Sequence, residues 1–145
     1  MFDITTQRAA DTAAIHLKGL DGDYLYADDA KEKPVEIVIY GPGSKQFAAI
    51  EARQTNRAVK RMQDNDGKVT VASSEQRLTE QAEDLAAITA EFRNFDYPAP
   101  DGKKFATATE QHEAFYLDAK LGHLTKQVLK ACTDWGNFKA ASKAA

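Results

Sequence analysis

Gly41-Pro42-Gly43-Ser44-Lys45 is the segment whose residue types come nearest to chemistry, a glycine-rich turn running into a helix. A phosphate-binding loop requires G-x-x-x-x-G-K-[ST], with lysine ahead of the hydroxyl residue and free amides around the anion. Here Ser44 precedes Lys45, no glycine stands five positions before Gly43, and Pro42 removes an amide. The turn also fails the G-x-S-x-G pattern of a nucleophile elbow. His112-Glu113 opens like the helix of a zinc protease, but Tyr116 occupies the place of the second histidine. His16, His112 and His123 join no Cys/His cluster, so no structural zinc site is expected. Asp64-Asn65-Asp66-Gly67 hints at a calcium loop, yet that alignment puts Met62 and Ser73 where the first and last carboxylates belong. It reads as a solvated turn that ends a helix. Glu83-Asp84 and Asp28-Asp29 are adjacent pairs, and on regular structure such neighbours diverge instead of converging on a substrate. No catalytic, cofactor-binding or metal-ligating residue is therefore assigned, no cofactor is implied, and enzymatic activity is not expected.

The elements around that turn are clearer than its chemistry. Val35, Ile37 and Ile39 alternate with Glu36, Val38 and Tyr40, the period-two pattern of a strand with one face buried. The glycines of the turn admit unusual dihedrals, and Ser44 is placed to cap the next helix. On a wheel of about 100° per residue, Phe47, Ala48, Ile50, Ala58, Val59 and Met62 share one broad face. Arg53, Arg57, Lys60 and Arg61 lie on the other side. Such a helix is expected to dock on a sheet with its apolar face and to offer the basic stripe to an acidic partner.

Elsewhere, Ala14, Ile15 and Leu17 lead through Gly19 and Asp21-Gly22 to Tyr24-Leu25-Tyr26, a hairpin or short meander, and Val69-Thr70-Val71 suggests a further short strand. Ser73 with Gln76 fits a capping box, opening a helix with Leu78, Ala82, Leu85 and Ile88 on one face. Its end is open to two readings, because Phe92 stays in helical phase while Glu91 to Tyr97 also alternate like a strand. Thr107 with Glu110 opens another helix. In the last one, Leu121, Leu124, Val128, Ala131, Trp135 and Phe138 are spaced three, four, three, four and three apart. That seam packs on the chain's own core, or it offers Trp135 and Phe138 as anchors for a partner.

The chain has 145 residues, 43% hydrophobic and 28% charged, with a formal net charge of −3, the composition of one ordinary soluble domain. No apolar run approaches the roughly 18 residues of a membrane helix. Met1 to Thr6 has neither a basic region nor a hydrophobic segment, so no secretion signal is expected. The single Cys132 cannot form an intrachain disulfide and fits a reducing compartment. Charge is distributed in blocks: residues 21–36 and 74–96 are acidic, residues 45–61 and 120–145 basic. These blocks either steer partners or neutralise one another within the fold. Direct nucleic-acid binding by the basic stripe is not favoured, given the negative net charge and the lack of a second basic helix in a helix-turn-helix arrangement.

A strand ending in Tyr40-Gly41-Pro42-Gly43-Ser44, followed by a helix rich in Ala, Gln, Asn and Arg, resembles the tail assembly chaperones of long-tailed bacteriophages. The resemblance continues through Gln81-Ala82-Glu83-Asp84-Leu85-Ala86-Ala87, Phe92 and Asp101-Gly102-Lys103. It resumes in Leu121-Gly122-His123-Leu124, Gln127-Val128 and Asn137-Phe138, so it covers most of the chain in order. The region around Phe95, Tyr97 and Pro98 departs from it by being more aromatic. The resemblance favours a strand after the capping-box helix. It implies an accessory protein of virion morphogenesis that acts in the host cytoplasm, coating the tape measure protein while tail tube subunits polymerise around it.

Together these readings predict a single α+β domain over residues 1–138, a small mainly antiparallel sheet packed by three or four helices, with a low-complexity tail over 139–145. The expected partners are the tape measure protein, further copies of the chain and, as an additional candidate, the tail tube subunit. The candidate partner-binding residues are Arg53, Arg57, Lys60, Arg61, Trp135 and Phe138. The alternative readings are a structural virion subunit of the tail or neck and, more distantly, a small nucleic-acid-binding regulator.

Overall fold

Alternating apolar residues at 35–39 build the middle of the protein. The computed structural model of the chain describes residues 1–67 and 72–139. The strand suggested at Val69–Val71, and the tail from residue 140, lie outside the described residues. Strand β1 (Thr12–His16), β2 (Glu36–Tyr40) and β3 (Thr89–Arg93) form a three-stranded antiparallel sheet in the order β1-β2-β3. Ile37 pairs with Ile15 on one side and Phe92 on the other. A bulge between Val38 and Ile39 shifts the β3 register. Among the described residues four α-helices accompany the sheet: α1 (Lys45–Asp64), α2 (Ser74–Ile88), α3 (Ala108–Leu117) and α4 (Gly122–Cys132). The architecture is the α+β arrangement that the patterns predict.

Local signals set most boundaries. Ser44, Ser73 and Thr107 each accept a hydrogen bond from the backbone N–H three residues on, and Ser73 with Gln76 completes the capping box. Before α1, the front of the chain forms the expected meander through the bridges Lys18–Tyr24 and Tyr26–Pro34. Helix α2 passes into β3 without a loop. There the Thr89 hydroxyl meets the Leu85 carbonyl and the Tyr116 hydroxyl, each at 2.7 Å, tying the junction to α3.

The core gathers Leu17, Ile37, Ile39, Leu85, Ile88, Phe115, Val128 and Phe138. His112 is buried against Phe92, with ring centroids 4.4 Å apart, and burial lowers its pKa. Thr125 on α4 is also buried, and its Oγ1 has no hydrogen-bond partner among the described residues. An unsatisfied buried hydroxyl costs about 1–3 kcal/mol. Thr125→Val, close in shape, is therefore expected to stabilise the protein by about 1 kcal/mol, read as a higher midpoint in urea at unchanged slope.

The C-terminal seam is not one helix. Helix α4 stops at Cys132, and Asp134 accepts a hydrogen bond from the Gly136 N–H to start a separate 3-10 turn, Trp135–Phe138. That break takes Trp135 and Phe138 off the line of Leu124, Val128 and Ala131. Phe138 swings beneath Gly41, where a methyl group on the glycine would stand 2.4 Å from its Cδ1, and Trp135 lies against Gly43. Neither Gly41 nor Gly43 has a positive φ. Close approach of two aromatic rings, not unusual dihedrals, is what the Gly-Pro-Gly turn provides.

Candidate partner-binding surfaces

Helix α1 turns inward the boundary between its two predicted faces, with Ile50 and the partly buried Phe47 from the apolar side beside Arg53, Arg57 and Arg61 from the basic one. Ile50 is its one buried residue, and its basic stripe faces α2. Asp84 on α2 is the hub. Its carboxylate accepts hydrogen bonds from Arg53, Gln54 and Arg57, each at 3.0 Å. Arg57 also reaches Glu83 at 3.1 Å, and Arg61 pairs with Glu80. Burial by itself pushes the Asp84 carboxyl up, but the bonds from Arg57, Gln54 and Arg53 outweigh it and hold the group below the usual carboxylate range.

The basic block at 45–61 and the acidic block at 74–96 thus neutralise each other across an antiparallel helical hairpin. Of the predicted stripe, Arg53, Arg57 and Arg61 are occupied by carboxylates of the same chain. Lys60 is exposed and makes no ion pair among the described residues. Reversing the three arginines to glutamate therefore opens this hairpin and is not a clean test of partner binding. The spacing carried a signal for this: Arg53, Arg57 and Arg61 step by four along α1, and Glu80 and Asp84 step by four along the facing helix.

Because charge holds α1 to α2, the rest of the apolar side of α1, beyond Phe47 and Ile50, is left outward. Ala48, Ala52, Thr55, Val59 and Met62 are spaced four, three, four and three apart, and all five are exposed. Val59 retains 47% and Met62 38% of its accessible surface. This seam lies on the side of α1 away from α2, and among the described residues no element buries it. On α2, Leu78 continues the line of Ala82 and Leu85 but is exposed too. A cleft of about 600 Å³ opens between α1, α2 and α4, floored by Phe47, Ile50, Leu85, Ile88 and Leu129.

The predicted aromatic anchors separate. Phe138 is fully buried, at 0% exposure, and belongs to the core, whereas Trp135 keeps 58% of its surface exposed. The amide of Gly41 donates to Asp11 O at 2.8 Å and that of Ser44 to Gly41 O at 3.0 Å, so this turn spends those donors internally. Among the described residues no group of three or more His, Cys, Asp or Glu is arranged to hold a metal ion, and no helix is long and apolar enough to cross a membrane. Comparison with protein-family models, curated proteins and solved structures finds no match.

Proposed function

We propose that this protein is a tail assembly chaperone of a long-tailed bacteriophage, a non-enzymatic accessory that binds the tape measure protein in the host cytoplasm and keeps it soluble. The observation that carries this reading is the outward apolar seam of α1, from Ala48 to Met62. Amphipathic helices usually bury such a stripe, and an uncovered one suits a helical partner laid along it. Covering the partner's apolar surface depletes its aggregation-prone form by mass action. The resemblance of the motifs from Tyr40 to Phe138, in order, supports this reading, and the tail tube subunit is a second candidate partner.

The test is co-expression with the tape measure protein of the same phage. Tape measure protein that is insoluble alone is expected to be recovered in a soluble complex. Val59→Asp/Met62→Asp is expected to lower that recovery at least tenfold. Because both side chains are on the outside of the fold, the melting temperature should barely change, in line with surface substitutions of about 0.5 kcal/mol. A tape measure protein that stays insoluble with the wild type overturns the reading. Stoichiometric recovery of this protein in purified particles makes it a structural subunit of the tail or neck instead.

A further inference from the structure

At the N-terminal end of β1, Thr6–Ala9 and the Trp135–Lys139 segment enclose a groove of about 520 Å³. The exposed indole of Trp135 lines it, together with the side chains of Arg8 and Lys139. No carboxylate lines it, and neither cation takes part in an ion pair among the described residues. A groove that holds an exposed tryptophan and two cations without an ion pair among the described residues is a surface complementary to an acidic segment that carries an apolar residue.

The same chain presents such a segment. Beyond the other end of β1, Gly19–Asp23 forms a tight turn closed by Gly22 N–H to Gly19 O at 3.0 Å and Gly19 N–H to Asp23 O at 2.9 Å. Asp21 accepts from the Asp23 amide at 3.0 Å, which holds the turn in shape. Leu20 projects with 86% of its surface exposed, and Asp21 and Asp23 are exposed beside it. The five residues of β1 separate the two ends by roughly 16 Å at about 3.3 Å per residue.

We propose that the two ends bind each other between copies of this chain: Leu20 of one copy packs on Trp135 of the next, and Asp21 and Asp23 meet Arg8 and Lys139. The surfaces differ and lie at opposite ends of β1, so the contact is head-to-tail. Repeated, it closes into a ring or extends into a filament, and does not stop at a two-fold dimer. The contact needs no tape measure protein, so its failure leaves the chaperone reading standing.

Trp135 is the single tryptophan, so intrinsic tryptophan fluorescence reports this groove alone. As the concentration of the full chain rises, its emission is expected to shift to the blue while light-scattering mass climbs above 15.9 kDa. Salt reverses both changes, since the cations and carboxylates meet at the surface. Arg8→Glu/Lys139→Glu and Asp21→Lys/Asp23→Lys are each expected to weaken association at least tenfold. Mixed together they assemble again, because the reversed turn of one fits the reversed groove of the other. Leu20→Ser gives a second turn variant that leaves the turn's hydrogen bonds intact, and it too should stay monomeric. A wild type that is monomeric at every concentration overturns the proposal. So do variants that associate like the wild type, or a mixture that is not rescued. If the wild type is monomeric but a synthetic Gly-Leu-Asp-Gly-Asp-Tyr peptide shifts the emission, the groove takes an acidic segment of another protein and the self-association proposal falls.

Discussion

Phe138→Ala is expected to cost this protein about 3–5 kcal/mol, the range for emptying a fully buried aromatic site. The ring has no exposed surface, and the backbone carbonyl of the same residue accepts from the Ala10 N–H at 2.7 Å. Phe138 therefore joins the C-terminal turn, the entry to β1 and the turn before α1. The reciprocal change is also costly. Gly41→Ala places a methyl 2.4 Å from Phe138 Cδ1, and overpacking of this kind costs about 1–3 kcal/mol. Both are read as urea midpoints at constant slope. The double variant is expected to be less destabilised than the sum of the two, because the added methyl enters the space the ring has left. Additive losses would mean that the ring and the glycine do not share this contact.

Asp84→Ala is expected to destabilise the protein by about 2–4 kcal/mol, because it leaves Arg53, Arg57 and Gln54 facing a buried site without their acceptor. Asp84→Asn keeps the shape but loses the charge and should fall between wild type and alanine. The pH dependence follows from the same contacts. A carboxyl held below its ordinary value in the folded state contributes its stabilisation fully above the usual carboxylate range. That contribution is lost as pH falls below about 4 toward the folded-state value. Buried His112 adds an earlier loss. Its pKa is lowered by burial, so the unfolded chain takes up the proton first and stability declines as pH drops below about 6.5. Urea midpoints from pH 7 to pH 3 are expected to fall in two stages, and Asp84→Asn should remove the lower stage alone. A wild-type profile flat between pH 5 and pH 3 contradicts the hub.

Much of the fold is legible before any coordinates. The alternation at 35–39 marks the central strand, and Ser44, Ser73 and Thr107 mark three helix starts, because caps and periodicity depend on neighbours within a few residues. The continuation of α2 into β3 was open in the pattern alone, since Phe92 satisfies both periods. Pairing with Glu36–Ile39 of β2 decides it as a strand. The break after Cys132 had a local mark in Asp134 and Gly136, but the continuing spacing to Phe138 masked it.

The site divides along the same line. By itself the sequence determined that one side of α1 is basic and another apolar, that Trp135 is the single indole, and that charge comes in alternating blocks, for these are matters of order and type. Only the tertiary structure decided which side of α1 faces inward, because the acidic face of α2 offers three arginines carboxylates within hydrogen-bond reach. Only it decided that Phe138 is core while Trp135 is surface, because a 3-10 turn rotates the two rings apart. Which apolar stripe ends up facing solvent depends on contacts between residues about thirty positions apart, and no local period records those.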